Sequence, residues 1–302
     1  DGRMRQWLEQ HCPVGGALLP SVKAGLEMAI LHLLGRCAGD PHLGAAAAGA
    51  RGNSVVSEVG VNALVAREED LDGPSDGASV VKVKVGKDPL EDALRTNRLA
   101  EALEGRKGPD ARLRLDANQA WTVAEAAAFV GALSNQAVAL TEYLEEPVQW
   151  KGDGAANFLN SWEVLSERTE GRVRLAVDES LTETAVNLEH LARCKAPIAA
   201  LVLKPALQGI EQTLEFASWA LEHQARPVLS SAFESGVALS HFAILAAAMA
   251  APPWLPEHKV SACHGLGTFT RLAEDVLDPP FSDLVCSSSG GGWRVDLLKC
   301  QD

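Results

Sequence analysis

From about Ser54 onward, short runs rich in β-branched residues alternate with longer stretches whose apolar side chains recur at helical spacing. The strand-like runs are VNALV (61–65), VVKVKVG (80–86), RLRLDA (112–117), LTEYLEE (140–146), VRLAVDE (173–179), ALVLKPA (200–206), RPVLSSAF (226–233) and, more weakly, KVSACHG (259–265). Helices are predicted between them at 89–105, 122–134, 182–194, 209–223 and 236–250. Eight strands with intervening helices predict right-handed βαβ units closing into a (β/α)8 TIM-like barrel over residues 54–272. A doubly wound open sheet competes, but neither a GxGxxG fingerprint nor a P-loop is present. Upstream, PSVKAGLEMAILHLLGR (20–36) reads as a helix with Pro20 at an early position, followed by a Gly/Ala-rich connector that completes residues 1–53. Residues 273–302 read as a tail, with SSSGGGW (287–293) a flexible stretch.

Strand side chains alternate faces, so parity sorts the charged residues. In VVKVKVG, Val81, Val83 and Val85 share one face, and Lys82, Lys84 and Gly86 the other. In RLRLDAN, Leu113 and Leu115 oppose Arg112, Arg114, Asp116 and Asn118; in ALVLKP, Leu201 and Leu203 oppose Val202 and Lys204. The apolar face is expected against the helical ring, and the charged face in the barrel mouth. Lys84, Asp116, Glu145, Asp178 and Lys204 follow one another at spacings of 32, 29, 33 and 26 residues, each about one βα unit. All fall at strand C-termini, where active sites on this fold lie.

Each fragment alone has a plain structural account. KVKVG fits a solvated edge strand, DAN a strand-end turn, LEEP a loop, and DES a helix start capped by Asp or Ser. Their order, spacing and shared direction favour a site. Three acids converging on one point repel each other unless a cation joins them. All-oxygen ligation without nearby His or Cys favours a hard ion, Mg²⁺ first, with Mn²⁺ a substitute.

Composition narrows the function class. The chain has 302 residues, 47% of them hydrophobic, enough for a full core. A net charge of −13 argues against a nucleic-acid or anionic-membrane surface. No apolar run reaches the roughly 20 residues of a membrane span. Six scattered cysteines without a CxxC pair read as free thiols in a reducing compartment. The chain begins at Asp1, without initiator Met or targeting segment, and is expected to be part of a longer polypeptide.

LPSVKAGLEMA (19–29), KVKVG (82–86), LRLDANQAW (113–121), YLEEP (143–147), AVDESL (176–181), VLKPALQG (202–209), LSSAFESGVAL (229–239) and HGLGT (264–268) together resemble the enolase superfamily, and within it o-succinylbenzoate synthase. The likeness covers residues 18–272 and is similar to the synthase module of a multi-domain phylloquinone-biosynthesis protein of plants and algae. It implies Mg²⁺-dependent syn dehydration of 2-succinyl-6-hydroxy-2,4-cyclohexadiene-1-carboxylate (SHCHC) to o-succinylbenzoate, on the way to phylloquinone or menaquinone. By the resemblance, Asp116, Glu145 and Asp178 ligate Mg²⁺, which stabilises an enediolate. Lys84 is the base and returns its proton to the departing hydroxyl, while Lys204, opposite, stabilises charge. Lys82, Mg²⁺ and Arg114 add positive charge that favours a neutral Lys84 amine; Arg114 equally fits a structural role as partner to the acids. Ser230, Ser231, Ser235 and backbone N–H groups around Gly236 bind the succinyl carboxylate. Asn118 and Trp121 support, and His264 is a structural strand-end histidine with no nucleophile at its neighbour Cys263.

The family's N-terminal α+β capping domain is represented only by a remnant before residue 40. Two alternatives follow. An N-acylamino-acid racemase or dipeptide epimerase uses the same lysine pair for two-base proton exchange. A truncated, non-catalytic scaffold module fits the missing cap. The resemblance further implies a plastid location and covalent linkage to other quinone-biosynthesis domains.

Overall fold

A computed structural model describes residues 19–38, 58–65, 78–107, 110–152, 154–182, 186–250, 263–287 and 293–297. Ten strands are present among them: β1 (Glu58–Val61), β2 (Ala63–Val65), β3 (Val80–Lys84), β4 (Arg112–Asp116), β5 (Thr141–Glu145), β6 (Leu175–Val177), β7 (Ile198–Leu203), β8 (Arg226–Leu229), β9 (Val285–Ser287) and β10 (Trp293–Asp296). The helices are α1 (Pro20–Ala38), α2 (Pro89–Lys107), α3 (Val123–Ala132), α4 (Asn135–Leu140), α5 (Ala155–Arg168), α6 (Leu188–Arg193), α7 (Pro205–Gln208), α8 (Ile210–Glu222) and α9 (Gly236–Ala250).

Strands β2 to β8 form one parallel sheet in sequence order. Two residues of the weak eighth run close it. His264 N donates to Gly60 O (2.8 Å) and His264 O accepts from Asn62 N (3.0 Å), while Gly265 N donates to Leu229 O (2.7 Å) and Gly265 O accepts from Ser231 N (3.0 Å). The first and last strands are thereby joined through His264 and Gly265, giving the expected (β/α)8 barrel; residues 259–262 lie outside the described residues.

Parity operates as the sequence implies. Val81, Val83, Leu113, Leu115, Leu201 and Leu203 are buried in the main core with Leu99, Phe129, Trp162 and Phe216 from the helices. Truncating a residue such as Leu115 in this layer would cost about 2–5 kcal/mol through lost transfer energy and a cavity. The opposite face holds a second apolar cluster that includes Tyr143, Ala176, Ala200 and Val228. Each lies two or four residues before Glu145, Asp178, Lys204 and Ser230 respectively. The barrel interior therefore carries an apolar floor beneath a polar mouth.

Three expectations change. The helix expected at 122–134 is α3, closed by a Thr122–Glu125 capping box, and a second helix α4, capped by Ser134, occupies residues read as loop and strand start. The helix expected at 182–194 contracts to α6, because Asn187 caps at 187 and Glu179–Leu181 is a separate 3₁₀ turn; Asp178 makes no side-chain cap there. Strand β7 ends at Leu203, since Pro205 opens α7.

The C-terminal segment is tied to the barrel entrance. β10 pairs antiparallel with both β1 and β9, so Ser287 and Trp293, expected in a flexible stretch, are strand residues; 288–292 lie outside the described residues. At the other end, α1 docks on α7 and α8 through fully buried Glu27, whose Oε2 accepts the Ile210 N–H at 2.6 Å. That bond places a carboxylate on the first turn of α8, where the helix dipole favours it. No described helix is long and apolar enough to cross a membrane.

Candidate active site

The sheet register sets Lys84, Asp116 and Glu145 side by side on β3, β4 and β5. Glu145 pairs with Ala176, and Asp178 follows two residues later on the same face. Lys204 stands directly after β7 and Ser230 directly after β8. The structure thus gathers at one barrel end the five residues that the spacing singled out.

Their contacts form a chain of alternating charge from Lys84 to Glu145 and a separate pair of Lys204 with Asp178. Lys82 Nζ lies 2.7 Å from Asp116 Oδ2 and 2.8 Å from Glu145 Oε1. Lys84 Nζ lies 2.6 Å from the same Asp116 oxygen and donates to Asn118 Oδ1 at 2.5 Å. Lys204 Nζ reaches both oxygens of Asp178, at 2.7 and 2.8 Å. Asp116 and Glu145 are fully buried and Asp178 nearly so.

Burial alone would raise the Asp116 carboxyl, but Lys82 and Lys84 outweigh it and hold the group at about 2. Glu145 moves the other way, well above the ordinary carboxylate range, because it is buried and faces Asp116 and Asp178. Burial opposes the charge on Lys82, yet Glu145 and Asp116 keep its ammonium raised well above the usual value. Lys204 behaves alike: burial is offset by Asp178, and the amine is raised.

One oxygen among these groups is unsatisfied. As a carboxylate, Glu145 Oε2 is buried with no donor and faces Asp178, another acid; a buried acceptor left so costs roughly 1–3 kcal/mol or more when nothing compensates it. Among the described residues no group of three acids is already drawn together as a cation cage, and Lys82 stands between Asp116 and Glu145. The orphaned oxygen and the all-carboxylate donors fit a hard divalent cation, which would relieve the repulsion that raises Glu145.

A supporting layer holds these groups. Asn118, at φ 45°, accepts from Lys84 through Oδ1 and donates through Nδ2 to Glu179 Oε1 at 2.6 Å. Glu146, also at positive φ (43°), is buried between β5 and β6. Its carboxylate accepts from Asp178 N (2.7 Å), Ser180 N (3.0 Å), Ser180 Oγ (2.6 Å) and Gln119 Nε2 (3.2 Å). Burial pushes Glu146 up to about 8 against the pull of those bonds. Trp121 donates to Lys87 O at 3.0 Å and pins the turn after β3. Sequence reasoning passed over Glu146, Glu179, Ser180 and Gln119; the second Glu of LEEP was the available signal.

A cavity of about 260 Å³ opens over these groups, lined by Lys82, Lys84, Asp178 and Lys204 and also by Ser230, Ser231, Phe233 and Arg271. Ser231 Oγ is engaged with Gly265 O (2.9 Å) and Thr268 Oγ1 (2.7 Å). Ser235 and Gly236 are not among the lining residues, and the Gly236 N–H expected to hold a ligand carboxylate is bound instead to Asp275 Oδ1 at 2.8 Å.

Arg114 takes the structural alternative. It lies a layer deeper, bonded to Glu142 (2.7 Å), Asn62 (3.1 Å) and Cys263 O (2.7 Å), with its guanidinium over the Tyr143 ring. His264 is buried, with Nδ1 accepting the Leu229 N–H at 3.0 Å; burial, with Arg114 nearby, lowers it to about 3. It is a neutral, barrel-closing histidine. Among the described residues Cys37, Cys194, Cys263 and Cys286 are free thiols.

A closed parallel barrel with acids and lysines at the C-terminal strand ends has the architecture of a (β/α)8 enzyme. The chain belongs to the enolase superfamily: residues 68–283 match the family described as Enolase C-terminal domain-like. It is 31% identical over 306 residues to Protein PHYLLO, chloroplastic, of Arabidopsis thaliana, covering 92% of this chain and 16% of that protein. It is 32% identical over 222 residues to o-succinylbenzoate synthase of Citrobacter koseri, covering 72% of this chain and 61% of the relative. The chain therefore spans only part of the length of these relatives. Among solved structures it is similar to a mandelate racemase/muconate lactonizing enzyme from Roseiflexus sp., with TM-score 0.71, 21% identity, and coverage of 99% of this chain and 77% of that one. It is also similar to a dipeptide epimerase from Methylococcus capsulatus complexed with Mg ion, with TM-score 0.65, 21% identity, and coverage of 97% and 75%.

Proposed function

We propose that the chain catalyses Mg²⁺-dependent dehydration of SHCHC to o-succinylbenzoate. The observation that carries this reading is the unsatisfied Glu145 oxygen, set between Asp116 and Asp178 and flanked by Lys84 and Lys204 facing one cavity. Relatives named o-succinylbenzoate synthase, and a Mg-complexed structure of the same fold, support it.

Asp116, Glu145 and Asp178 hold the ion. When bound, Mg²⁺ polarises the ring carboxylate of the substrate and offsets the negative charge that develops as the adjacent carbon loses its proton. The remaining work belongs to the chain's own side chains. Lys84, in its neutral form, takes that proton at Nζ and returns it to the hydroxyl leaving from the same face, so removal and return need one group. Asn118 orients the amine through its 2.5 Å contact. Lys82, bridging Asp116 and Glu145, keeps both acids in place and supplies fixed positive charge. Lys204, held by Asp178, faces the substrate from the other side as a cation. Ser230 and Ser231 line the cavity wall, where the succinyl chain extends.

Local charge agrees with an anionic substrate. Lys82, Lys84, Lys204 and Arg271 are matched by Asp116, Glu145, Asp178 and Glu179. A divalent ion then leaves the site positive, which favours an anionic ligand whether Lys84 is charged or neutral. The relationship to PHYLLO supports a plastid setting and attachment to further quinone-biosynthesis domains.

The test is to incubate purified chain with SHCHC and Mg²⁺ and to follow o-succinylbenzoate, with Lys84→Ala in parallel. Turnover abolished by EDTA and by the substitution is expected; Mg²⁺-independent turnover, or none, overturns the reading. Both lysines face the cavity, which favours racemase or epimerase chemistry as the second reading. It requires α-proton exchange of N-acyl amino acids or dipeptides in D₂O that depends on Lys204.

A further inference from the structure

The cavity contains one cation that the acids do not engage. Lys82, Lys84 and Lys204 are each bonded to a carboxylate, whereas among the described residues the Arg271 guanidinium has no hydrogen bond or ion pair. Arg271 ends the 3₁₀ turn Gly267–Arg271 and lines the same cavity. In a 3₁₀ turn residues three apart eclipse each other. Thr268, which also lines the cavity and bonds to Ser231, therefore shares its face with Arg271. Phe269 points elsewhere, 5.4 Å from the Phe281 ring and 6.3 Å from Trp293, anchoring the turn to the C-terminal segment.

Two apolar side chains of the cavity wall are unusually open. Phe233 is 64% exposed and Leu64 42% exposed, and both line the cavity. Phe233 also adopts φ 69°, a conformation a bulky residue seldom holds unless its surroundings impose it. Cationic ends with an apolar middle describe a ligand with two separated anions and an apolar body.

We infer that Arg271 binds the distal carboxylate of the ligand, across an apolar lip formed by Phe233 and Leu64, and so selects dicarboxylates over monocarboxylates and over dipeptides. The inference deepens the reading above and rests on it for the identity of the ligand. An arginine suits the task because it stays charged and meets a carboxylate with two parallel bonds. A dipeptide would bring an ammonium group to this wall, where the guanidinium repels it. Ser235 is not among the lining residues, and the Gly236 N–H is bound to Asp275.

The experiment compares equilibrium binding of o-succinylbenzoate and of 2-butanoylbenzoate, in which a methyl group replaces the distal carboxylate. Tryptophan fluorescence or calorimetry is used with Mg²⁺ present, on wild type, Arg271→Leu and Arg271→Lys. Wild type is expected to prefer the dicarboxylate by about 10- to 100-fold, the range of a charge-assisted pair. Arg271→Leu should bring the two ligands within about twofold while leaving 2-butanoylbenzoate binding unchanged, and Arg271→Lys should restore part of the preference. A wild-type preference that survives Arg271→Leu, or equal weakening of both ligands, overturns the inference. In turnover, Arg271→Leu should raise KM with little change in kcat, the mark of uniform binding. Active enzyme whose KM ignores Arg271→Leu defeats this inference alone. Arginine-dependent dicarboxylate binding without turnover defeats only the dehydration reading.

Discussion

Ser180 is bound twice to Glu146, through its backbone N–H at 3.0 Å and its hydroxyl at 2.6 Å. The same carboxylate accepts the Asp178 N–H. Glu146 thus carries the backbone of a candidate ion ligand directly after β6 from a position at the end of β5. Glu146→Ala would strand these buried donors, each at roughly 1–3 kcal/mol. We expect a loss of about 3–5 kcal/mol in urea unfolding, with Glu146→Gln losing much less because it keeps an acceptor. Wild-type stability in Glu146→Ala would show that water replaces the carboxylate and that the bridge is dispensable.

If Asp116, Glu145 and Asp178 hold Mg²⁺, the folded state gains stability by mass action. At a free concentration about 100 times Kd the gain is about 2.7 kcal/mol, which for a chain of this size is a rise in Tm of roughly 4 °C. Asp178→Asn and Glu145→Gln should abolish the rise, read by differential scanning fluorimetry with and without Mg²⁺. An equal rise in both variants would locate the ion elsewhere.

The barrel and the gathering of charged residues were legible because both depend on short periods. Alternation of two along KVKVG and RLRLD fixes which side chains share a face, and parallel register turns a spacing of one βα unit into adjacency. Features decided by partners distant in sequence were not legible. Asp275 caps Gly236 from 39 residues away, and Arg114 finds Cys263 O across 149 residues. The positive φ of Glu146 is a tertiary outcome that no local pattern signals. The stretch SSSGGGW read as flexible on composition, yet its ends join a sheet because β1 offers an edge to Trp293–Asp296. The 3₁₀ turn at Glu179–Leu181 likewise sits where Glu146, from the end of β5, binds the backbone after β6.

His264 predicts an acid-side instability. Burial, with Arg114 nearby, lowers its folded value to about 3 from 6.5. A group lowered on folding contributes stability that is complete above the unfolded value and is lost as pH falls towards the folded one. This histidine therefore adds a slope of about 1.4 kcal/mol per pH unit between roughly pH 6.5 and 3. His264→Asn keeps an acceptor for the Leu229 N–H and removes the titration. Its urea stability should fall less steeply between pH 6 and 4 than that of wild type, and identical slopes would exclude His264 as the source.

Gly86 links the two strand ends that carry Lys84 and Asp116. It sits at φ +108°, and an added Cβ would meet Ala117 O at 2.6 Å, in the turn between Asp116 and Asn118. The segment has little freedom to move away. Asp92 Oδ2 accepts the N–H groups of Gly86 (3.0 Å) and Lys87 (2.8 Å), and Arg95 binds Lys84 O at 2.6 Å. Gly86→Ala therefore combines backbone strain of about 1–3 kcal/mol with displacement of Lys84 against Asp116. We expect a lower urea midpoint and a fall in kcat of about tenfold or more in the dehydration assay, since small misplacements of a proton-transferring group reduce rate steeply. Gly105→Ala is the control, because Gly105 lies in α2 with nothing within 4 Å of an added Cβ; it should leave kcat unchanged and hold or raise the urea midpoint, since alanine favours the helix by up to about 1 kcal/mol. If Gly86→Ala matched that control in stability and rate, the close approach of the two strand ends would have no bearing on the site.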